Sequence, residues 1–288
     1  MSDSKHTSMT ISNLFFFGYG YVAQQLHHIL PSTTQVAGCT RTETNRDFLY
    51  PFATIPRDIL DQFDHFLISI PSDAHGDITL QTYADYFKNR SLPIRWIGYF
   101  SATSVYGDHQ GDWIDEATAP APNSTRGYNR LMAEQQWQQL NLSLSILRLS
   151  GIYGPGRSAI ESVLSHKARL INKPGHIFNR IHVADICRVI LAAADEQPQV
   201  LNLADDYPAP LHEVYQYAYE LLSLPVPPII SWKDANLSEM MQDFFSENKR
   251  IKNGLIKKIL KDNLLYPSYK EGLSDCLKWQ QEKLKTST

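Results

Sequence analysis

Apolar runs of strand length alternate with segments of helical period through the first two-thirds of the chain. Residues 11–17 end in the unbroken run Leu14-Phe15-Phe16-Phe17 and predict a first strand. Val22, Leu26, Ile29 and Leu30 then fall at helical spacing, which predicts an amphipathic helix closing at Pro31. Residues 35–40, 65–70 (stopped by Pro71), 96–101 and 144–149 read as further strands, with helices over about 80–88 and 127–140 between them. Strands apolar on both faces and separated by helices imply a parallel sheet covered on both sides, a doubly wound α/β fold.

Beyond Gly151 the rhythm changes. Gly151-Ile152-Tyr153-Gly154-Pro155-Gly156 is a turn-rich break, followed by predicted helices over 160–171 and 183–195 and a core strand over 200–203. From Pro208 onward the pattern is helical and punctuated by proline, and is expected to fold over the strand ends. Two units follow: a sheet core of 11–152 and 182–206, and a smaller, mostly helical C-terminal subdomain of 153–181 and 207–288.

Composition narrows this picture. Hydrophobic residues make up 43% and charged residues 20%, enough apolar surface for a core and too little charge for wholesale disorder. The formal charge of -3 gives no general attraction to nucleic acid or anionic membranes. The basic stretch 249–261 has acidic neighbours and reads as a solvated helix face. Cys39, Cys187 and Cys276 are widely spaced, which argues against a zinc site or a disulfide framework and fits a reducing compartment. No histidine pair has metal-ligand spacing, since adjacent His27 and His28 diverge on a helix. Residues 1–10 are polar and lack the apolar core of a signal peptide, so the expectation is a cytoplasmic protein with a short loose tail at each end.

Gly18-Tyr19-Gly20-Tyr21-Val22-Ala23 lies between the first strand and the first helix and matches G-x-G-x-x-A. The first glycine permits the tight turn, the second lets backbone approach a pyrophosphate, and Ala23 allows close helix–sheet packing. The free N–H groups and positive dipole end of the helix would then face the phosphates; the bland alternative is a plain glycine turn. Cofactor choice falls to the end of the second strand, where NAD sites usually carry a carboxylate for the ribose 2′-hydroxyl. This chain reads Cys39-Thr40-Arg41-Thr42, with no carboxylate until Glu43. Hydroxyls and a guanidinium, assisted by Arg46, suit a 2′-phosphate, so NADP(H) is expected over NAD(H), although Arg41 also fits a plain surface arginine.

These residues are joined by Ser101-Ala102-Thr103-Ser104-Val105-Tyr106-Gly107, Leu147-Arg148-Leu149-Ser150-Gly151-Ile152-Tyr153-Gly154-Pro155-Gly156, Arg180-Ile181-His182-Val183-Ala184-Asp185, Leu201-Asn202-Leu203-Ala204-Asp205-Asp206 and Asn248-Lys249-Arg250. Together they resemble the extended short-chain dehydrogenases/reductases, the NAD-dependent epimerase/dehydratase family, and within it an atypical branch. The resemblance covers about 11–273 and implies a Rossmann fold whose substrate lies between the strand ends and the C-terminal segment. It implies cofactor contacts at Gly18, Gly20, Tyr21, Val22, Thr40, Arg41, Ile70, Pro71, Ser101 and Arg130, and a substrate pocket with Arg126, Tyr153, Arg157 and Arg250.

The family's catalytic set is a Ser or Thr three residues before the Val of V-Y-G, plus Tyr-x-x-x-Lys on one helix face, where tyrosine is the acid/base and lysine lowers its pKa. Aligned on these motifs, the chain carries Ala102, Arg126 and Arg130 at the three positions. Arg126 cannot act as a general acid, because an arginine pKa exceeds about 12. It can hold an anionic group, and Arg130 can bridge ribose hydroxyls; alternatively both are surface charges beside Glu134. Tyr128 is two residues from the tyrosine position, about 200° around a helix, and Met132 cannot serve as its lysine. Ser101 and Thr103 flank the vacated serine position, but on a strand such neighbours point to the face opposite Ala102, so neither replaces it directly; they hydrogen-bond the cofactor or simply end the strand. His182 reads as structural or catalytic, and Asp185 as the cap of the following helix.

Two functions fit. One is an NADP(H)-dependent oxidoreductase or epimerase acting on a small polar substrate such as a nucleotide-sugar. The other is a catalytically inactive NADP(H)-binding redox sensor or scaffold. Neither requires nucleic acid, membrane or metal, and a homodimer is compatible with both.

Overall fold

Side chains along the first strand alternate between two cores, which is why its sequence is apolar without a break. In the computed structural model, which describes residues 11–42 and 44–286, Leu14 and Phe16 pack on one side with Leu26, Ile186, Val189 and Ile190. Phe15 and Phe17 pack on the other with Tyr83, Phe87, Ala133 and Trp137. The tails read at residues 1–10 and 287–288, and Glu43, lie outside the described residues.

Seven strands form the sheet: β1 Asn13–Phe17, β2 Gln35–Thr40, β3 Leu49–Pro51, β4 His65–Ile68, β5 Trp96–Ala102, β6 Leu144–Leu149 and β7 Val200–Leu203. All are parallel, in the order β7-β6-β5-β4-β1-β2-β3. Chain direction therefore reverses its spread between β1 and β4, the switch point at which α/β sheets open a crevice at their carboxyl ends. Helices α1 Tyr21–Ile29 and α4 Val183–Glu196 cover one face; α2 Ile78–Asn89 and α3 Thr125–Gln138 cover the other. The edge strand β3 escaped the sequence reading because three residues ending in proline are too short to show a period.

Local chemistry sets the helix starts. Asp77 caps α2, its Oδ1 accepting from Leu80 N–H at 2.9 Å, and Ser124 caps α3 by accepting from Gly127 N–H at 3.2 Å. Gly127 is required for close approach: a Cβ there would lie 2.7 Å from the Ser104 carbonyl. Deeper along α3, buried Glu134 binds Arg148 of β6 in a two-pronged pair, Nε to Oε1 at 3.0 Å and Nη2 to Oε2 at 2.7 Å. The Arg148 guanidinium also lies 4.7 Å over the Tyr106 ring, and the Tyr106 hydroxyl donates to Asn202 Oδ1 at 2.8 Å. Glu134 is thus an interior residue; of the two arginines read as possible surface charges beside it, Arg126 is exposed and Arg130 half-buried.

Three further expectations change. The helix placed over 160–171 ends at Leu164; His166 adopts φ +56°, and Ile171 belongs to a two-residue strand paired with Ile230–Ser231. Asp185 does not cap α4. His182 does, its Nδ1 accepting from Ala184 N–H at 3.3 Å, while the Asp185 carboxylate takes the Leu265 and Tyr266 amides at 2.8 and 2.9 Å and ties down the C-terminal segment. Within the basic stretch, Lys252, Lys257 and Lys261 pair with Asp115, Asp206 and Glu196, but Lys249 is buried, and Arg250–Ile251 is a short strand beside Trp113–Ile114.

Removing one partner of a buried ion pair leaves the other uncompensated. Glu134→Ala is therefore expected to cost about 3–5 kcal/mol in urea unfolding, with a smaller loss when Glu134→Leu is combined with Arg148→Met. A loss below about 1 kcal/mol, the level of an exposed pair, would show that the pair does not hold α3 to the sheet.

Candidate cofactor and active site

The turn between β1 and α1 has the form that backbone contact with a phosphate requires. Gly18 adopts φ +99°, and a Cβ on it would meet Ser69 Oγ at 2.7 Å. The Ser69 hydroxyl donates to the Gly18 carbonyl at 2.9 Å, and Tyr19 N–H donates to the Cys39 carbonyl of β2 at 2.9 Å, so the turn is clamped from both neighbouring strands. Gly20 differs: nothing lies within 4 Å of its would-be Cβ. No side chain caps α1 and no acidic residue stands in its first turn, while Val22 and Ala23 are buried against the sheet. The helix N–H groups and the positive end of the dipole consequently face an open cradle that a Gly20 side chain would fill. The residues present fit a dinucleotide pyrophosphate.

At the end of β2, the Thr40 hydroxyl donates to the Thr42 carbonyl at 2.6 Å, and exposed Arg41 has no guanidinium partner among the described residues. Arg46 lies 5.9 Å over the Tyr19 ring, whose hydroxyl meets His27 Nδ1 at 2.6 Å. Burial, and then the Arg46 charge, hold the His27 pKa below its ordinary value. Ile70 borders Gly18, and exposed Pro71 follows it at the crevice rim. The three cysteines are buried and their thiols pushed up to about 12 by burial, which removes them as nucleophiles near neutrality.

The catalytic positions lie on the carboxyl end of β5 and one stripe of α3. Ala102 ends β5 with a methyl group, and Thr103 opens a one-turn 3-10 helix. Ser101 is buried and donates its hydroxyl to Glu134, away from the crevice. Arg126, Arg130 and Glu134 recur every four residues and share the face of α3 that Glu134 turns to the sheet. Arg130 Nη1 donates to the Phe100 carbonyl at 2.7 Å and to the Tyr99 hydroxyl at 3.3 Å. Arg126, a turn further out, is exposed. Tyr128 is 58% exposed on the opposite side of the helix together with Met132.

The four residues expected to line the substrate pocket do not converge. Tyr153 and Arg157 border one cavity of about 390 Å³, which neither Arg126 nor Arg250 reaches. Tyr153 is buried, its hydroxyl donating to the Ser268 carbonyl at 3.2 Å, and Arg250 donates to the Gly111 carbonyl. Sequence reasoning missed a polar cluster at the start of α3. Lys249 Nζ donates to Gly107 O and Glu247 Oε2, both at 2.6 Å, and Ser124 Oγ donates to Glu247 Oε1 at 3.2 Å. Burial lowers the Lys249 pKa against the opposing pull of Glu247. The Asn248-Lys249-Arg250 motif was visible; the burial of its lysine was not.

A seven-stranded parallel sheet with this order and a glycine turn after β1 defines a Rossmann-type fold. The model of the NAD dependent epimerase/dehydratase family matches residues 42–204, more than half of the chain, and the chain belongs to that family. No curated protein matches it. A functionally unknown conserved protein from Silicibacter pomeroyi is 39% identical, with a TM-score of 0.87 over 93% of this chain and 98% of the other. MoeE5 in complex with UDP-glucuronic acid and NAD is 17% identical, with a TM-score of 0.75 over 94% and 99%. UDP-glucuronic acid 4-epimerase from Bacillus cereus in complex with NAD is 15% identical, with a TM-score of 0.72 over 94% and 99%. The last two likenesses are of fold.

His182 gives the site a measurable pH dependence. It is buried between Tyr153 and Tyr266, and burial lowers its pKa to about 4 although Asp275 and Asp185 pull the other way. The unfolded chain, with a histidine pKa near 6.5, binds the extra proton between these values. Stability contributed by the neutral ring is complete above about pH 6.5 and falls as pH drops toward 4, by about 1.4 kcal/mol per pH unit for one proton. His176, also held at about 4 by burial, adds a second share. In His182→Asn, which keeps a capping oxygen, the slope of unfolding free energy between pH 6 and 4 is expected to fall by one proton. An unchanged slope would contradict this.

Proposed function

We propose that the chain binds a nicotinamide dinucleotide in the crevice at the carboxyl ends of β1, β2 and β4, NADP(H) in preference to NAD(H). There it serves as an oxidoreductase or epimerase for a small polar substrate such as a nucleotide-sugar. The observation that carries this reading is the clamped Gly18 turn, open Gly20 and uncapped α1, with Arg41 at the end of β2 unpartnered among the described residues. MoeE5 and the Bacillus cereus epimerase, relatives in fold with bound NAD and, for MoeE5, UDP-glucuronic acid, support the nicotinamide dinucleotide and the nucleotide-sugar; the NADP(H) preference rests on Thr40 and Arg41 alone.

When bound, the nicotinamide supplies hydride exchange. The chain's own residues supply position and charge. The N–H groups of Tyr21 and Val22 would take the pyrophosphate, Thr40 and Arg41 the 2′-phosphate, and Ile70 and Pro71 the wall beside it. Arg126 would draw the anionic part of a substrate to the mouth of the crevice and stabilise negative charge developing on a carbonyl oxygen. It donates no proton, so protonation in this scheme comes from solvent or from the substrate.

A second reading is binding without turnover, as a redox sensor or scaffold. A specific observation favours it: Ala102 has nothing to donate, Arg130 Nη1 is already bonded to the Phe100 carbonyl and the Tyr99 hydroxyl, and the Ser101 hydroxyl is bonded to Glu134. Steady-state assays with NADPH and a panel of carbonyl and nucleotide-sugar substrates separate the two. Turnover abolished by Gly20→Asp supports the enzyme; tight cofactor binding with no turnover, and a protein partner sensitive to cofactor state, supports the sensor.

NADPH is expected to bind at least about tenfold more tightly than NADH, one charge-assisted contact's worth, with the gap shrinking in Arg41→Ala. Titration by tryptophan fluorescence or calorimetry reads both. Equal affinities in the unsubstituted protein would sink the NADP preference.

A further inference from the structure

The cavity of about 390 Å³ bordered by Tyr153 and Arg157 includes no residue of the glycine turn and neither arginine of the catalytic stripe. Its walls are the helices Ala159–Leu164, Leu211–Leu221 and Tyr269–Thr286 and the parallel pair Gly151–Tyr153 with Arg180–His182. It lies within the volume range of small-molecule sites, about 300–1,000 Å³.

Its electrostatics are lopsided on a chain whose formal charge is -3. Arg157, Lys167 and Arg180 all line it, against one carboxylate, Glu161. That carboxylate is already engaged: Oε1 accepts from Gly156 N–H at 3.0 Å and Oε2 from the Ser158 hydroxyl. Arg180 is held rigidly, its Nη1 donating to the Phe178 and Ala209 carbonyls at 3.1 Å each, while Nε and Nη2 have no hydrogen bond among the described residues. No ion pair between Arg180 and a carboxylate is present among the described residues; buried Asp205, whose carboxyl burial pushes up while the Arg180 charge opposes, accepts its side-chain hydrogen bond from Tyr207 N–H instead. The Arg157 and Lys167 side chains meet no carboxylate among the described residues. Tyr215 and Tyr269 also line it.

We propose that this cavity is a binding site for a small organic phosphate, a sugar phosphate or nucleoside monophosphate, distinct from the cofactor crevice. Arg180 presents its two free donors to the phosphate, and Arg157 and Lys167 close on it from the rim. Three cations with no free carboxylate match a phosphomonoester, which carries about -1.5 to -2 near neutrality, better than a single carboxylate. The tyrosine walls take the ring of the sugar or base. The site also touches the cofactor turn from outside, because Arg157 lies 5.6 Å over the ring of Tyr21, whose hydroxyl donates to the Pro155 carbonyl at 3.0 Å.

The test is calorimetric titration of the cofactor-free full chain with glucose 1-phosphate, UMP and inorganic phosphate. At least one organic phosphate is expected to bind more tightly than inorganic phosphate. Its affinity should fall at least about tenfold, the loss of one charged contact, in Arg180→Met. Ser162→Trp, which fills the cavity from a different wall, and Lys167→Ala should weaken it while leaving thermal unfolding near that of the unsubstituted protein. Arg126→Ala and Gly20→Asp should leave it unchanged, so the outcome does not depend on the NADP(H) reading. No binding by either organic phosphate, equal affinity for inorganic phosphate, or binding that survives Ser162→Trp but is lost in Arg126→Ala would each overturn the proposal.

Discussion

Everything about the catalytic positions hangs on the rotation of α3 about its own axis, and the Glu134–Arg148 pair sets that rotation. Two parallel hydrogen bonds between a buried carboxylate and a buried guanidinium tolerate little angular error. The Ser101 hydroxyl, on the strand between, closes on the same carboxylate. With Glu134 fixed inward, the residues four and eight positions earlier lie on the same face. Arg130 then meets the end of β5, and Arg126, a turn further out, is exposed. Tyr128 is carried to the far side by the same geometry, and no rotamer change brings its hydroxyl back across the helix. A slip of one residue would bury Ala133 and Trp137 differently and break the second core, so packing and electrostatics enforce one register.

That dependence explains what the sequence could reveal and what it could not. The sheet was legible because burial on both faces leaves long apolar runs, as in Leu14-Phe15-Phe16-Phe17, and because glycines mark the turn after β1. Strand ends came within a residue or two, and β3 was lost because three residues carry no period. The errors share another cause: they concern charged residues whose partners are remote in sequence. Glu134 looks like any helix-surface glutamate until Arg148 arrives on a neighbouring strand. Asp185, in the first turn of α4, looks like a cap, but the amides it takes are eighty residues away. Lys249 sits in a basic run, and only the fold places Gly107 and Glu247 around its ammonium. Local rules predict hydrophobic burial well and polar burial poorly, since a buried charge is decided by its partner.

The candidate site divides in the same way. The glycine turn announces itself locally, through Gly18 and Gly20, although Ser69 and Cys39 clamp it from neighbouring strands. The substrate pocket is a non-local device, and the four residues assigned to it by resemblance are dispersed: Tyr153 serves a helical core, Arg250 a loop carbonyl, and only Arg157 faces the same cavity as Tyr153. Resemblance transfers positions along the chain, but a pocket is defined by what side chains meet across it.

In the alignment implied by the resemblance, two arginines stand at the tyrosine and lysine positions, and under the proposed function that exchange would change the kind of work the crevice does. A tyrosine–lysine pair moves a proton because its members exchange one near neutral pH; guanidinium groups do not. What arginine adds is permanent positive charge in a fixed fork, suited to anions and to charge developing on oxygen. Arg130 is bonded through Nη1 to the Phe100 carbonyl and the Tyr99 hydroxyl at the end of β5. Arg126, uncommitted, acts on whatever enters. The two proposed sites call on further arginines and a lysine, Arg41 at the end of β2 and Arg157, Lys167 and Arg180 around the adjoining cavity, none of which has an ion-pair partner among the described residues; permanent positive charge in those places would favour phosphorylated ligands over cationic ones.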